Sequence, residues 1–184
     1  DFLNNDFIHG NPGKLPLSSY YNTLYRGSWN ANTIISMAIG QGELLLTPIQ
    51  MANMTAIIAN RGFYYTPHII KEIEGTEIDS SFKVIKYCSI EEQYFEPIIN
   101  GMQKVIDGEK GTAKNSRIND IIICGKTGTA QNPHGEDHSI FIAFSPKEDP
   151  QIAIAVYVEN GGWGSTWAAP IGTFMIEKYL KNKI

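Results

Sequence analysis

Residues 121–131 read IIICGKTGTAQ, and two incompatible structures compete for them. One is a phosphate-cradling loop, the other a β-strand with an acyl-transfer site along its lip. The loop requires G-x-x-x-x-G-K-[ST], because its glycines let backbone N–H groups wrap a phosphate. Gly125, Lys126 and Thr127 match the end of that pattern, but Asp120 stands where the first glycine belongs. The interval holds Ile121, Ile122, Ile123 and Cys124, which are bulky and β-favouring, and an aspartate repels a triphosphate. The phosphate loop fails.

As a strand the run is coherent. With a two-residue period the isoleucines seat one end in a core, and Lys126 projects from one face as a fixed cation. Gly128, two residues on, leaves that side bare, so that a substrate can lie against the backbone. Thr127 and Thr129 add hydroxyls beside the strand's own N–H and C=O groups. A cation, two hydroxyls and bare backbone suit a substrate carboxylate and an extended peptide adding to the sheet. Three residues of K-T-G are a short signal, and a surface lysine beside a glycine kink explains the run equally well.

Working outward, two further β-rich runs follow, SIFIAFSP and QIAIAVYVEN, separated by short turns. Antiparallel neighbours are the natural arrangement. A closing helix is expected over residues 168–180, after Gly161, Gly162 and Gly164. Upstream, Thr47 and Pro48 open LTPIQMANMTAIIANRG as N-cap and first helical residue, and Gly62 ends that helix. A short helix over residues 34–39 is expected, capped by Asn32 or Thr33. Another starts after Ser89 and runs to about Ile106, with Pro97 implying a kink or a break. HIIKEIEG and FKVIKYC alternate about Gly75 and suggest a two-stranded ribbon, while residues 1–30 read as a loop-rich lead-in. The expected class is α+β, helices packed on an antiparallel sheet.

At 184 residues, 42% apolar and 18% charged, the chain can bury a core. A net charge of −4 and the lack of a basic stripe argue against a nucleic-acid partner. No apolar run approaches the ~20 residues of a membrane span, and no secretion signal opens the chain, so any anchor is expected outside it. Cys88 and Cys124 form no C-x-x-C pair, which makes zinc or thioredoxin-like chemistry unattractive. HGEDH at residues 134–138 reads as a polar turn, because Pro133 and Gly135 forbid the helix that would align its histidines on a metal. No cofactor and no metal site is expected. Trp163, among glycines, is a candidate mobile element beside the site.

Three longer stretches add a resemblance: IISMAIGQGELLLTPIQMANMTAIIANRGFYYTPHII, GKTGTAQNPHGEDHSIFIAFSP and IAIAVYVENGG. Together they look like the carboxyl-terminal part of class B penicillin-binding proteins of the elongation type, the penicillin-binding protein 2 group. The resemblance implies a serine D,D-transpeptidase that binds penicillin and crosslinks peptidoglycan stem peptides through an acyl-enzyme. Its expected partners are stem peptides, β-lactams and elongation-machinery proteins, and its expected location is the extracytoplasmic face of the inner membrane. By resemblance Lys126 supplies positive potential and supports proton traffic, Thr127 and Thr129 hold the substrate carboxylate across Gly128, and the Thr129 N–H is an oxyanion donor.

The family order is S-x-x-K, S-x-N, then K-T-G. Here the matches are Ser80–Lys83 and Ser28–Asn30, in reversed order. In DSSFKVIK, a polar turn leading into a strand, Lys83 is expected on the opposite face from Ser80, unlike a nucleophile and its base. The 184 residues are therefore expected to be the carboxyl-terminal portion of a transpeptidase domain, beginning after its nucleophile, inactive alone and prone to self-association through exposed apolar surface. The rival readings are a penicillin-recognising sensor without turnover, a related hydrolase and a plain β-sheet domain.

Overall fold

The computed structural model describes residues 11–70, 72 and 74–182. Its centre is a three-stranded antiparallel meander: β3 (Cys124–Ala130), β4 (His138–Ser145) and β5 (Ile152–Val158), in that order. Upstream lie α1 (Ser18–Leu24), α2 (Ala31–Ala38), α3 (Pro48–Ala59), the short strands β1 (Phe63–Tyr64) and β2 (Lys86–Tyr87), and α4 (Phe95–Asp107). The helix α5 (Ala168–Lys181) closes the fold. The α+β class expected from the pattern is what the chain forms.

Alternation sorts the strands onto two cores. Phe141, Ala143 and Ile154 join Ala168, Ala169 and Ile176 of α5 in one buried cluster, and Cys124 and Phe144 join Ala59, Phe95, Ile99 and Met102 of α3 and α4 in the other. The sheet is thus sandwiched between α5 and the α3/α4 pair. Close approach is bought by glycine on the first face. A Cβ at Gly125 would lie 2.6 Å from Phe141 Cζ, and one at Gly172 would lie 2.7 Å from Cδ1 of the same ring. On the second face burial pushes the Cys124 thiol up to about 12, so it is a protonated core group.

The local signals for α3 act as expected. Thr47 Oγ1 accepts from the Gln50 N–H (3.4 Å) while Gln50 Oε1 accepts from the Thr47 N–H (2.8 Å), a reciprocal cap with Pro48 at the first position. For α2 the cap is Asn30, not Asn32 or Thr33. Its Oδ1 accepts from the Asn32 N–H at 2.9 Å, and Thr33 completes the box. The helix expected to start after Ser89 begins only at Phe95, so its proline does not interrupt it. Pro97 sits in the first turn, where a missing N–H is tolerated, and the chain enters through a separate 3-10 turn at Glu92–Tyr94.

Three expectations need correction. The lead-in contains α1, which buries Tyr21 against Tyr25 and Trp29, although residues 1–10 lie outside the description. The ribbon has a different partner: β2 pairs with β1, Phe63 opposite Tyr87, while residues 68–70 form no strand and Lys71 and Ile73 lie outside the description. Across that pair the rings of Phe63 and Tyr87 lie 6.5 Å apart, a cross-strand aromatic contact. Ser80 and Lys83 are also not on opposite faces of a strand. Ser80–Phe82 is a 3-10 turn capped by Asp79, the Lys83 N–H donates to Ser80 O at 2.9 Å, and both side chains are exposed.

Candidate functional site at the free edge of the central sheet

Among the described residues β3 pairs only with β4, so its other margin is a free edge. Alternation puts Lys126 and Gly128 on the α3/α4 face and Thr127 and Thr129 on the α5 face, so cation and hydroxyls do not share a side. They meet at the edge. Lys126 is exposed, and its Nζ wraps round to donate to Thr127 O at 2.7 Å. Gln41 Nε2 donates to Thr129 O at 3.2 Å from outside the sheet. In an extended strand a residue's N–H and C=O point the same way. The Thr129 N–H therefore faces the edge together with its carbonyl.

Gly128 leaves its own side nearly bare: a Cβ there would meet Ile140 Cβ at 3.3 Å and Ile140 Cγ2 at 3.6 Å. The reverse side is covered. A Cβ on Gly164 would fall 2.3 Å from Gly128 O and 2.5 Å from Ile140 O, so residue 164 must be glycine for the 160–167 loop to dock. Gly164 donates to Thr129 Oγ1 (3.4 Å), and buried Ser139, paired with Thr129 across the sheet, donates to Trp163 O (2.9 Å) and accepts from the Ala168 N–H (3.1 Å). Trp163 stays 73% exposed on a loop anchored at both sides.

Three partners of the motif were not apparent from the sequence: Gln41, Thr112 and Gly164. Gln41 sits between two left-handed glycines, Gly40 (φ 81°) and Gly42 (φ 84°), which turn its side chain toward β3. Next along, the Tyr25 hydroxyl donates to Glu43 Oε1 (2.7 Å), which holds the Glu43 carboxyl below the usual carboxylate range and fixes the turn's far side. Thr112 Oγ1 lies 2.8 Å from Thr127 Oγ1. The only available signal was negative, G-Q-G and E-K-G-T being turn formers without periodicity.

Neither alternative serine motif converges on this edge through any hydrogen bond of the described residues. Ser28 Oγ donates to Tyr25 O (2.5 Å) and Asn30 caps α2, so both are spent on local turns. The 134–138 turn is closed by its own polar groups. Asn132 donates to Asn160 Oδ1 (2.8 Å), the Asn132 N–H to Asp137 Oδ1 (3.1 Å), and the Asn160 N–H to His138 Nδ1 (3.1 Å).

An edge strand with a fixed cation, an outward N–H and two hydroxyls can hold an anionic peptide end and stabilise developing negative charge. Comparisons with known proteins identify the family. The family model of the penicillin binding protein transpeptidase domain matches residues 3–177. The peptidoglycan D,D-transpeptidase MrdA of Haemophilus influenzae is 30% identical over 189 residues, covering 92% of this chain and 29% of the relative. PbpA of Mycobacterium tuberculosis, also a peptidoglycan D,D-transpeptidase, is 31% identical over 157 residues, with 79% and 32% covered. Among solved structures, Pseudomonas aeruginosa PBP2 in complex with WCK 5153 superposes with a TM-score of 0.82 at 35% identity, over 96% of this chain and 40% of that one. PBP2 of Helicobacter pylori, in complex with MreC, gives 0.77 at 28% identity, over 94% and 32%. The chain thus spans about a third of the proteins it matches. With nearly its whole length accounted for by one domain type and its fold superposing on PBP2, the chain belongs to the penicillin-binding protein transpeptidase family.

Proposed function

We propose that these residues are the carboxyl-terminal portion of a transpeptidase domain, and that the whole protein is a peptidoglycan D,D-transpeptidase. A serine outside this segment attacks the D-Ala-D-Ala carbonyl of a stem peptide. The alanine leaves, and an amine of a neighbouring strand resolves the acyl-enzyme into a crosslink. β3 is the wall against which the acyl donor lies. Thr127 and Thr129 hydroxyls hold the donor's carboxylate, the Thr129 N–H receives the negative charge that develops on the carbonyl oxygen, and Lys126 supplies positive potential. The observation that carries this reading is the outward orientation of Thr129 at a free sheet edge beside an exposed lysine.

Partners and location follow from the same reading. Stem peptides and β-lactams are the ligands, and cell-elongation proteins are the macromolecular partners, since the H. pylori relative was solved with MreC. Among the described residues no helix is long and apolar enough to cross a membrane, and the proposed site of action is the outer face of the bacterial inner membrane. Ile34, Ile35, Ile39, Leu45 and Leu46 are exposed, and we assign them to contacts with the rest of the protein or, in the separate chain, with another copy.

The test is labelling of the full-length protein with a fluorescent penicillin. Lys126→Ala removes a charge-assisted contact of about 1.5–3 kcal/mol, which corresponds to a roughly tenfold to hundredfold slower acylation. Labelling at the wild-type rate would remove Lys126 from the site. A penicillin-recognising sensor would label as fast but form no crosslinked product from stem peptides.

A further inference from the structure

We infer that Thr112 is a positioning residue for the acyl donor's carboxylate, acting through the hydroxyl of Thr127. The inference rests on the function proposed above. It starts from the 2.8 Å contact between Thr112 Oγ1 and Thr127 Oγ1, which joins the loop after α4 to the edge strand.

That loop is fixed to the end of α4 at each side of Thr112. Gly111 is pressed so closely on the last turn that a Cβ would lie 2.4 Å from Val105 O and 2.7 Å from Lys104 O. Ala113 is 2% exposed and donates its N–H to Val105 O at 3.0 Å. The Ser116 N–H then donates to Ala113 O at 2.9 Å and begins the next turn. Thr112 is therefore held between two neighbours that are seated on α4, the helix that packs against β3. Thr127 is gripped twice: at its carbonyl by Lys126 Nζ and at its hydroxyl by Thr112.

The proton count gives the contact a direction. A threonine hydroxyl has one proton and two lone pairs, while a carboxylate only accepts. When a carboxylate reaches Thr127, the Thr127 proton must point to it, and the Thr127 oxygen is then free to accept from Thr112. The chain runs Thr112 O–H to Thr127 Oγ1, and Thr127 O–H to the carboxylate. Each bond polarises the next, and the Thr127 proton no longer has to be reoriented when the ligand arrives.

The experiment measures acylation of the full-length protein by benzylpenicillin and by its methyl ester, which lacks the anionic group. Thr112→Val keeps the shape and deletes the hydroxyl. It is expected to slow acylation by benzylpenicillin about threefold to tenfold, the size of one neutral hydrogen bond, and to leave the ester's rate unchanged. Thr112→Ser is expected to restore the penicillin rate. Equal slowing of both ligands by Thr112→Val would make the role purely structural and overturn the inference, as would an unchanged benzylpenicillin rate. If the wild-type protein takes up no penicillin at all, the proposed function fails first and this inference with it.

Discussion

Thr129→Pro in the full-length protein is expected to slow acylation by about 10²–10³, the loss that follows removal of one oxyanion donor. The substitution deletes the N–H that faces the free edge of β3 while keeping the strand. Proline is tolerated in an edge strand whose N–H points away from the ladder. The residue before it is Gly128, which has no Cβ to clash with the new ring. Thr129→Val is the companion. It keeps the N–H and removes only the hydroxyl that Gly164 donates to, so it should fall well short of the proline effect. Stopped-flow acylation with a chromogenic β-lactam separates the two. If Thr129→Pro acylated within a few-fold of wild type while retaining its fold, the Thr129 N–H would not be the donor.

The second large effect is on stability. Phe141 is fully buried, and its ring is clasped between Gly125 on β3 and Gly172 on α5. At Gly125 a Cβ would stand 2.6 Å from Cζ and 2.8 Å from Cε2, and the ring cannot retreat because Gly172 closes the other side. Gly125→Val is therefore expected to cost about 3 kcal/mol or more by overpacking, roughly 6–12 °C in the melting of a domain this size. Combining it with Phe141→Leu should recover part of the loss, since the two positions share one volume. A single variant that melts with the wild type would show that the sheet and α5 are less tightly joined than the distances state.

What could be read from the chain is what local physics encodes. The cap and proline at Thr47 and Pro48, the alternation of SIFIAFSP and QIAIAVYVEN, and the closing helix are all signals spanning a few residues, and each element formed. β3 itself starts at Cys124, later than the isoleucine run. Its ladder with β4 opens at Cys124 opposite Phe144, and the preceding Ile122 is tied instead by Ser145 Oγ to its carbonyl. The ribbon was misjudged because β1 and β2 contribute two residues each, too few for a period to register. α1 was missed because nothing in SSYYNTL caps it and it depends on the burial of Tyr21.

The site divides along the same line. Lys126, Thr127, Gly128 and Thr129 are contiguous and stood out as a motif. Their partners come from elsewhere: Gln41 from a turn 88 residues away, Gly164 from 35 residues on and Thr112 from 15 residues back. Each is selected by a tertiary contact, so no spacing announces it. Reading the four residues as one contiguous motif also assigned the cation and the hydroxyls to one cradle too simply. They sit on opposite faces and work together only because a strand edge is within reach of both.

The most direct measurement is the structure of the full-length protein acylated by a penicillin. The account predicts the penicillin carboxylate within about 3 Å of Thr127 Oγ1 and the acyl oxygen within about 3 Å of the Thr129 nitrogen, with the ligand lying along the open edge of β3. An acyl oxygen turned toward donors elsewhere, with the β3 edge unoccupied, would contradict it.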